Sequence, residues 1–275
     1  MTQQQRREYS ALAIRQQNRI AGKYIKPIYQ ALRSMVTEFV EDAKQRGLTA
    51  AKSSLYTVVS NQALAEAISD LHKESGLFFG RKAYREIARS ARVQKAGFGF
   101  NLQWAADIIA YFTTDLFQLV QQITETTRQQ ILAILTQATE QGQSFEWIEN
   151  QLTSPDLLAF RARLIARTET AKGAFVGRQL ANRDTEWETV KEWIAANDHR
   201  TRHGHRKVDG EVIDNDARFQ VPHPKGVDMM EGPGDPTASA ANVCNCRCSQ
   251  AHRAARDANG RLIRKTQQQV TTSIN

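Results

Sequence analysis

The apolar positions of the first half of the chain recur at helical spacing. Ile20, Tyr24, Ile28, Leu32, Met35, Val36, Phe39 and Ala43 fall mostly three or four apart, the interval that lays a stripe along one helix face. Pro27 sits inside that run and is expected to kink it. A second helical block is expected over 61–92, interrupted near Gly76 to Gly80, and Gly97, Gly99 and Asn101 mark a break after it. From Trp104 through Ile108, Tyr111, Phe112, Leu116, Leu119, Ile123, Ile131 and Leu135 the stripe resumes and runs to about Gly142. A helix unbroken over 103–140 is roughly 57 Å long, which suits a rod better than a compact catalytic core. Gly142 ends it, Ser144 caps a short helix carrying Phe145, Trp147, Ile148 and Leu152, and Ser154-Pro155-Asp156 starts another that runs to about 182.

Past Thr185 the pattern changes. Trp187, Val190, Trp193 and Ile194 could form a helical face, but as aromatic or β-branched residues ahead of a turn they favour a strand. Residues 204–236, rich in Gly and Pro, predict loops with short strands, and 267–275 a polar end that frays. The class that follows is α+β, with a mainly helical N-terminal region of long helices.

Composition narrows the partners. The 275 residues carry a net charge of +8, with 41% hydrophobic residues and a mean hydropathy of −0.53, which fits a water-soluble chain with a core. No stretch approaches the roughly 18 apolar residues that a membrane span needs, and Met1 to Arg15 lacks the apolar run of a signal peptide, so no membrane partner is expected. Five of the six His and all three Cys fall between 199 and 252. Cys244, Cys246 and Cys248 are too close together for a disulfide framework.

That same stretch holds Asp198-His199-Arg200-Thr201-Arg202-His203-Gly204-His205, then Asp209-Gly210, Pro233-Gly234-Asp235-Pro236 and Asn245-Cys246-Arg247-Cys248. With the approach through Glu140-Gln141-Gly142 and the segment Ala166-Arg167-Thr168-Glu169-Thr170, their order and spacing resemble the phage Mu F-like minor head proteins, also called phage head morphogenesis proteins. The resemblance covers about 125–253. It implies nothing firm for residues 1 to about 120; the division expected is a helical docking region for portal and assembly, 1–125, a Mu F-like domain of helices packed on a small sheet, 126–255, and a basic, polar tail, 256–275. The implied function is a structural and assembly role in a phage head, at the portal vertex inside the virion, after assembly in the host cytoplasm. It has portal protein, other head proteins and packaged DNA as partners, and no enzymatic activity. The motif residues it marks are Asp198, Arg200, Thr201, Arg202, His205, Asp209, Gly210, Asn245, Cys246, Arg247 and Cys248. Many members carry Cys-x-x-Cys where this chain has Arg202-His203-Gly204-His205, a departure from any four-cysteine metal site.

Read on their own, the three cysteines alternate and would share one side of a strand. No cofactor is required by this reading. A zinc ion on His205, Cys246 and Cys248, with His203, His223 or His252 as fourth ligand, stays open beside a purely packed role for the sulfurs. An Asp198 to Arg pair could hold the neighbouring loop, with Arg167 or Glu169 bracing it, and a surface turn with solvated charges stays open beside it. A metal-dependent phosphodiesterase or nuclease would draw on His203, His205, Asp209, Asp214 and Asp216. Arg81, Lys82, Arg85, Arg89 and Arg92, with Lys95, form a basic ridge on the second helical block, and Arg247, Arg253, Arg256, Arg261, Arg264 and Lys265 a basic C-terminal stretch. Both are candidate contacts for DNA phosphate or an acidic portal surface, and a non-specific DNA-binding virion protein is a further alternative. Trp104, Tyr111, Phe112 and Phe117 are candidate anchors, though core burial is the expected fate of most of them.

Overall fold

A computed structural model describes residues 1–54, 62–92 and 102–266. In chain order the elements are α1 (Gln3–Arg46), α2 (Leu48–Ser54), α3 (Gln62–Ser90), α4 (Leu102–Gln141), α5 (Phe145–Leu152), α6 (Pro155–Arg183), β1 (Thr189–Ile194), α7 (His203–Lys207), β2 (Val212–Asp214), β3 (Phe219–His223), β4 (Gly226–Met230), α8 (Ala240–Val243) and β5 (Ser249–Ala254). The class is α+β, with long N-terminal helices and a small antiparallel sheet.

Local signals set most helix ends. Gly142 closes α4 at φ +60°, where a side chain would be strained, and the Ser144 hydroxyl caps α5 by accepting from the Trp147 N–H. α1 includes Pro27 within its span, and one expectation fails: α3 is unbroken across Gly76 and Gly80. Those two glycines face Gly173 and Gly177 of α6: a Cβ on Gly80 would come 2.7 Å from the Gly177 carbonyl oxygen, and one on Gly177 would meet the backbone of Gly76. The glycines serve a close helix crossing instead of a break. The break expected at Gly97, Gly99 and Asn101 lies outside the described residues.

Contacts divide the chain into two compact units, each assembled from separated stretches. One comprises Met1–Ala21, Leu71–Ala110 and Arg167–Asn275, the other Gly22–Asp70 and Tyr111–Ala166. The second unit is helical, and its core includes Ile28, Leu32, Phe39, Leu64, Ile68, Ile131, Leu135, Ile148 and Leu158. Buried Arg161 is satisfied there by the Thr127 hydroxyl at 3.1 Å and the Ile123 carbonyl at 2.6 Å. In the first unit, β1 is the middle strand of a sheet ordered β2-β1-β5, and β3 pairs with β4 as a hairpin. Trp193, Phe219, Val221, Met230, Val243, Cys246 and Cys248 make its core beside the sheet.

These units do not follow the linear boundary expected near 125. The first 21 residues belong with the sheet, because the Gln17 amide donates to the Cys248 carbonyl at 3.2 Å and the Tyr9 hydroxyl to the Gln250 carbonyl at 3.0 Å. Residues 256–266 are not a loose tail either. Leu262 packs with Ile87, Ala91 and Ala254, and Arg264 stacks on Trp187 at 4.9 Å. The remainder of the expected tail, 267–275, is outside the described residues.

Candidate functional site

The motif residues converge in the first unit. Asp198 opens a tight loop in which its carboxylate accepts from the Arg200 N–H at 3.0 Å and the Thr201 hydroxyl at 3.1 Å, while its own N–H donates to the Thr201 hydroxyl oxygen. Both terminal nitrogens of Arg247 close on that carboxylate, one of them at 2.8 Å to Oδ1. The expected Asp to Arg pair therefore exists, and its arginine comes from the closing strip, not from Arg200, which is exposed. Arg202 ties the same two places together by donating to the Cys244 carbonyl at 2.6 Å. Burial pushes the Asp198 carboxyl up, but the Arg247 hydrogen bonds and charge outweigh it, with Arg200 and Thr201 adding to them, and hold it at about 2.

The neighbouring motifs are turns with assigned work. Asp209 accepts from the Ala195 N–H at 2.8 Å and the Asn197 amide at 3.1 Å. Gly210, at φ +81°, lies where a Cβ would strike the Arg6 guanidinium. In the Pro-Gly-Asp-Pro turn, Asp235 accepts from the backbone of Glu231 and Thr237, and Gly234, at φ +89°, lies against the Ala171 carbonyl. Thr168, whose hydroxyl accepts the Asn245 N–H at 2.9 Å, braces the motif from α6. Glu169 does not brace the Arg-Thr-Arg loop; it is buried with His72 at 2.9 Å and Lys172 at 3.0 Å.

The cysteines do not share one side of a strand. They precede β5: Cys244 is the exposed C-cap of α8, Asn245 turns the chain at φ +55°, and only Cys246 and Cys248 enter the core. There they meet His205, whose Nδ1 lies 3.3 Å from Cys248 Sγ and 3.6 Å from Cys246 Sγ. The pairing with Cys248 holds the Cys246 thiol well below its ordinary value, against its burial and with His205 assisting; the same pairing, with burial, pushes Cys248 up. Among the described residues these three form the single group of potential metal donors. None of the expected fourth ligands joins it: His203 is exposed, His223 lies 3.6 Å from Asp228, and buried His252 is held by the Asn182 amide at 3.0 Å. Nor do His203, Asp209, Asp214 and Asp216 gather around His205 as a hydrolytic centre would require.

Sequence reasoning missed Asn242. Its amide NH2 donates to the Val221 carbonyl at 3.2 Å and to Asp228 at 2.8 Å, which turns its oxygen toward His205 Nε2 at 3.1 Å. Trp193, edge-on to the His205 ring at 5.4 Å, was recognised only as a strand residue.

Of the ridge, Arg81, Lys82, Arg85 and Arg89 line a groove of about 520 Å³ with Tyr9, Leu12, Gln16, Phe78 and Glu86. Arg92 is absent from its lining, and Lys95 is outside the described residues. The C-terminal cations are largely engaged within the fold. Arg253 lies 3.5 Å from Glu192, Arg256 donates to the Gly260 and Ser90 carbonyls, and Lys265 caps the carbonyls of Asn182 and Arg183. Of the expected anchors, Trp104 and Phe112 are buried and Tyr111 is 44% exposed; the Phe117 side chain is outside the described residues.

The Asp198 to Arg247 clasp, the turns at 209–210 and 233–236 and the Cys-x-Cys strip lie within residues 129–251, which match the family of Phage Mu protein F like proteins. That stretch of the chain is Mu F-like. The chain is 40% identical over 92 residues to the Minor head protein GP7 of Bacillus phage SPP1, covering 32% of this chain and 28% of that protein. It is also 31% identical over 127 residues to the uncharacterized protein YqbB of Bacillus subtilis (strain 168), covering 44% and 40%. The chain thus matches less than half the length of these relatives. No solved structure matches it.

Proposed function

We propose that this Mu F-like chain is a structural minor head protein of a tailed phage or prophage, built into the head at the inner face of the portal vertex. The observation that carries the reading is the family match over 129–251, joined to a relative named as a minor head protein. The role is binding, with portal and other head proteins as partners after assembly in the host cytoplasm. Among the described residues no helix is long and apolar enough to cross a membrane, and Phe160 is a large apolar side chain left 65% exposed.

The test is mass spectrometry of purified heads together with co-purification of the chain with the portal protein of the same phage. Presence in heads and a fixed ratio to portal are expected; absence from both would refute the role. Deleting 1–125 is a poor probe, since it strips Tyr9 and Gln17 from the sheet. Substitution of Phe160 by Asp is the better one.

A second reading, contact with packaged DNA through phosphate, is favoured by the groove that collects Arg81, Lys82, Arg85 and Arg89. Phosphodiester hydrolysis is the weaker alternative, because its candidate residues are scattered.

A further inference from the structure

We propose that His205, Cys246 and Cys248 bind one zinc ion, and that Asn242 sets the histidine for it. The reading stands apart from the role in the head. Tautomer selection carries the argument. The Asn242 amide nitrogen has two acceptors, the Val221 carbonyl and the Asp228 carboxylate, so the amide orientation is fixed and its oxygen must face His205 Nε2. Asp228 is itself fixed by the Ser239 hydroxyl at 2.6 Å and the Ser239 N–H at 3.2 Å. Nε2 then carries the proton and donates it to Asn242, which leaves the Nδ1 lone pair bare and directed at two sulfurs. An imidazole whose far nitrogen donates to a fixed acceptor is the arrangement that orients a histidine ligand.

Donor spacing agrees. Zinc bonds of about 2.3 Å to sulfur and 2.0 Å to nitrogen, at tetrahedral angles, place neighbouring sulfur and nitrogen donors about 3.5 Å apart. The two observed separations are 3.3 and 3.6 Å, and all three donor atoms lie within 4.8 Å of one another. A nucleophilic role for Cys246 in a Cys-His-Asn arrangement fits less well, because Cys246 is 3% exposed, His205 is 1% exposed and Trp193 covers the ring. The protein supplies three donors, and a non-protein ligand completes a four-coordinate ion. The ion would join α7 to a strip 41 residues away, so metal binding would be coupled to folding of the first unit.

The test uses the full-length chain purified without a polyhistidine tag from zinc-supplemented medium. Elemental analysis is expected to find about one zinc per chain, and a chelator is expected to lower the melting temperature in a way that added zinc reverses. Titration of the metal-free wild type with cobalt(II) is expected to give a sulfur-to-cobalt charge-transfer band, a readout that needs no variant to fold. Asn242→Leu is expected to weaken zinc retention about 10-fold or more while keeping the band, as a positioning residue should. Wild-type protein without zinc and without the cobalt band would overturn the proposal, as would a Cys246 to Cys248 disulfide in freshly purified protein.

Discussion

Arg247 holds Asp198 with both terminal guanidinium nitrogens across 49 residues of chain, and this pair fastens the loop that opens the Mu F-like motif to the strip that closes it. The carboxylate is partly screened, at 31% side-chain exposure against 11% for the arginine, so the pair is worth less than a buried one. The carboxylate nevertheless also holds the Arg200 N–H and the Thr201 hydroxyl. Asp198→Ala should therefore cost about 1–2 kcal/mol, as loss of a side-chain cap does, and Arg247→Ala somewhat less. A double-mutant cycle by denaturant unfolding should show a coupling of about 0.5–1.5 kcal/mol. The pH dependence has a defined sign. The folded carboxyl sits at about 2, below the ordinary carboxylate value, so its contribution is complete above roughly pH 4 and fades as pH falls toward 2. Wild type and Asp198→Asn should converge in stability across that window and stay apart above it.

The crossing of α3 and α6 makes a sharper structural prediction. A Cβ on Gly177 would lie 2.6 Å from the carbonyl carbon and 2.8 Å from the Cα of Gly76, and backbone cannot swing aside as a side chain can. Gly177→Ala should destabilise the protein by about 1–3 kcal/mol or more. Gly22, inside α1 with nothing within 4 Å of the point where a Cβ would stand, is the control: Gly22→Ala should be neutral or stabilise by up to about 1 kcal/mol. Equal melting temperatures for the two variants would contradict the close crossing.

Those glycines also mark how far the sequence reaches. Ser144 and Gly142 act on their own neighbours, so the ends they set are legible locally; the strand at Thr189–Ile194 is only half legible, because the same apolar spacing also fits a helical face. Gly76 and Gly80 lower helix propensity locally, and only the presence of α6 reveals why they are tolerated. Alternation placed all three cysteines on one side of a strand; the left-handed turn at Asn245 separates exposed Cys244 from the two buried sulfurs. Asp198 was recognisable as a charge in need of a partner, while the choice of Arg247 over Arg200 or Arg202 depends on the path of the chain. Asn242 carries no pattern at all, because a single amide gains its role only from what stands on both sides of it.

Lys191, in the middle of β1, is fully buried, and its ammonium has no hydrogen-bond partner among the described residues. Burial lowers it to about 8, opposed by the charges of Glu231, Asp216 and Asp235 and assisted by Arg218, while the Phe219 ring lies 5.8 Å away. A lysine depressed in the folded state penalises folding fully below about pH 8, and the penalty fades as pH rises toward the unfolded value near 10.4. Lys191→Met, of similar length and without the charge, should therefore raise stability by about 1–3 kcal/mol at pH 7. The gain should shrink as pH approaches 10. A destabilised Lys191→Met at pH 7 would mean that the ammonium is held by a partner.

The cations along the groove on α3 differ in how deeply they are held. Lys82 lies 4.1 Å over the Tyr9 ring and 4.0 Å from Glu86, and burial lowers it to about 8. Arg85 and Arg89 are exposed at the rim. If the groove meets DNA phosphate, affinity for a short duplex should fall steeply with salt, and each neutralised contact should reduce the slope of log affinity against log salt by about 1. Arg85→Ala and Arg89→Ala should each do so, and together should reduce it by about 2. Lys82→Met should leave the slope nearly unchanged, because that charge is held against Tyr9 and Glu86. A slope indifferent to both arginines, in variants with wild-type melting temperatures, would remove DNA from the groove and leave an acidic protein surface as its ligand.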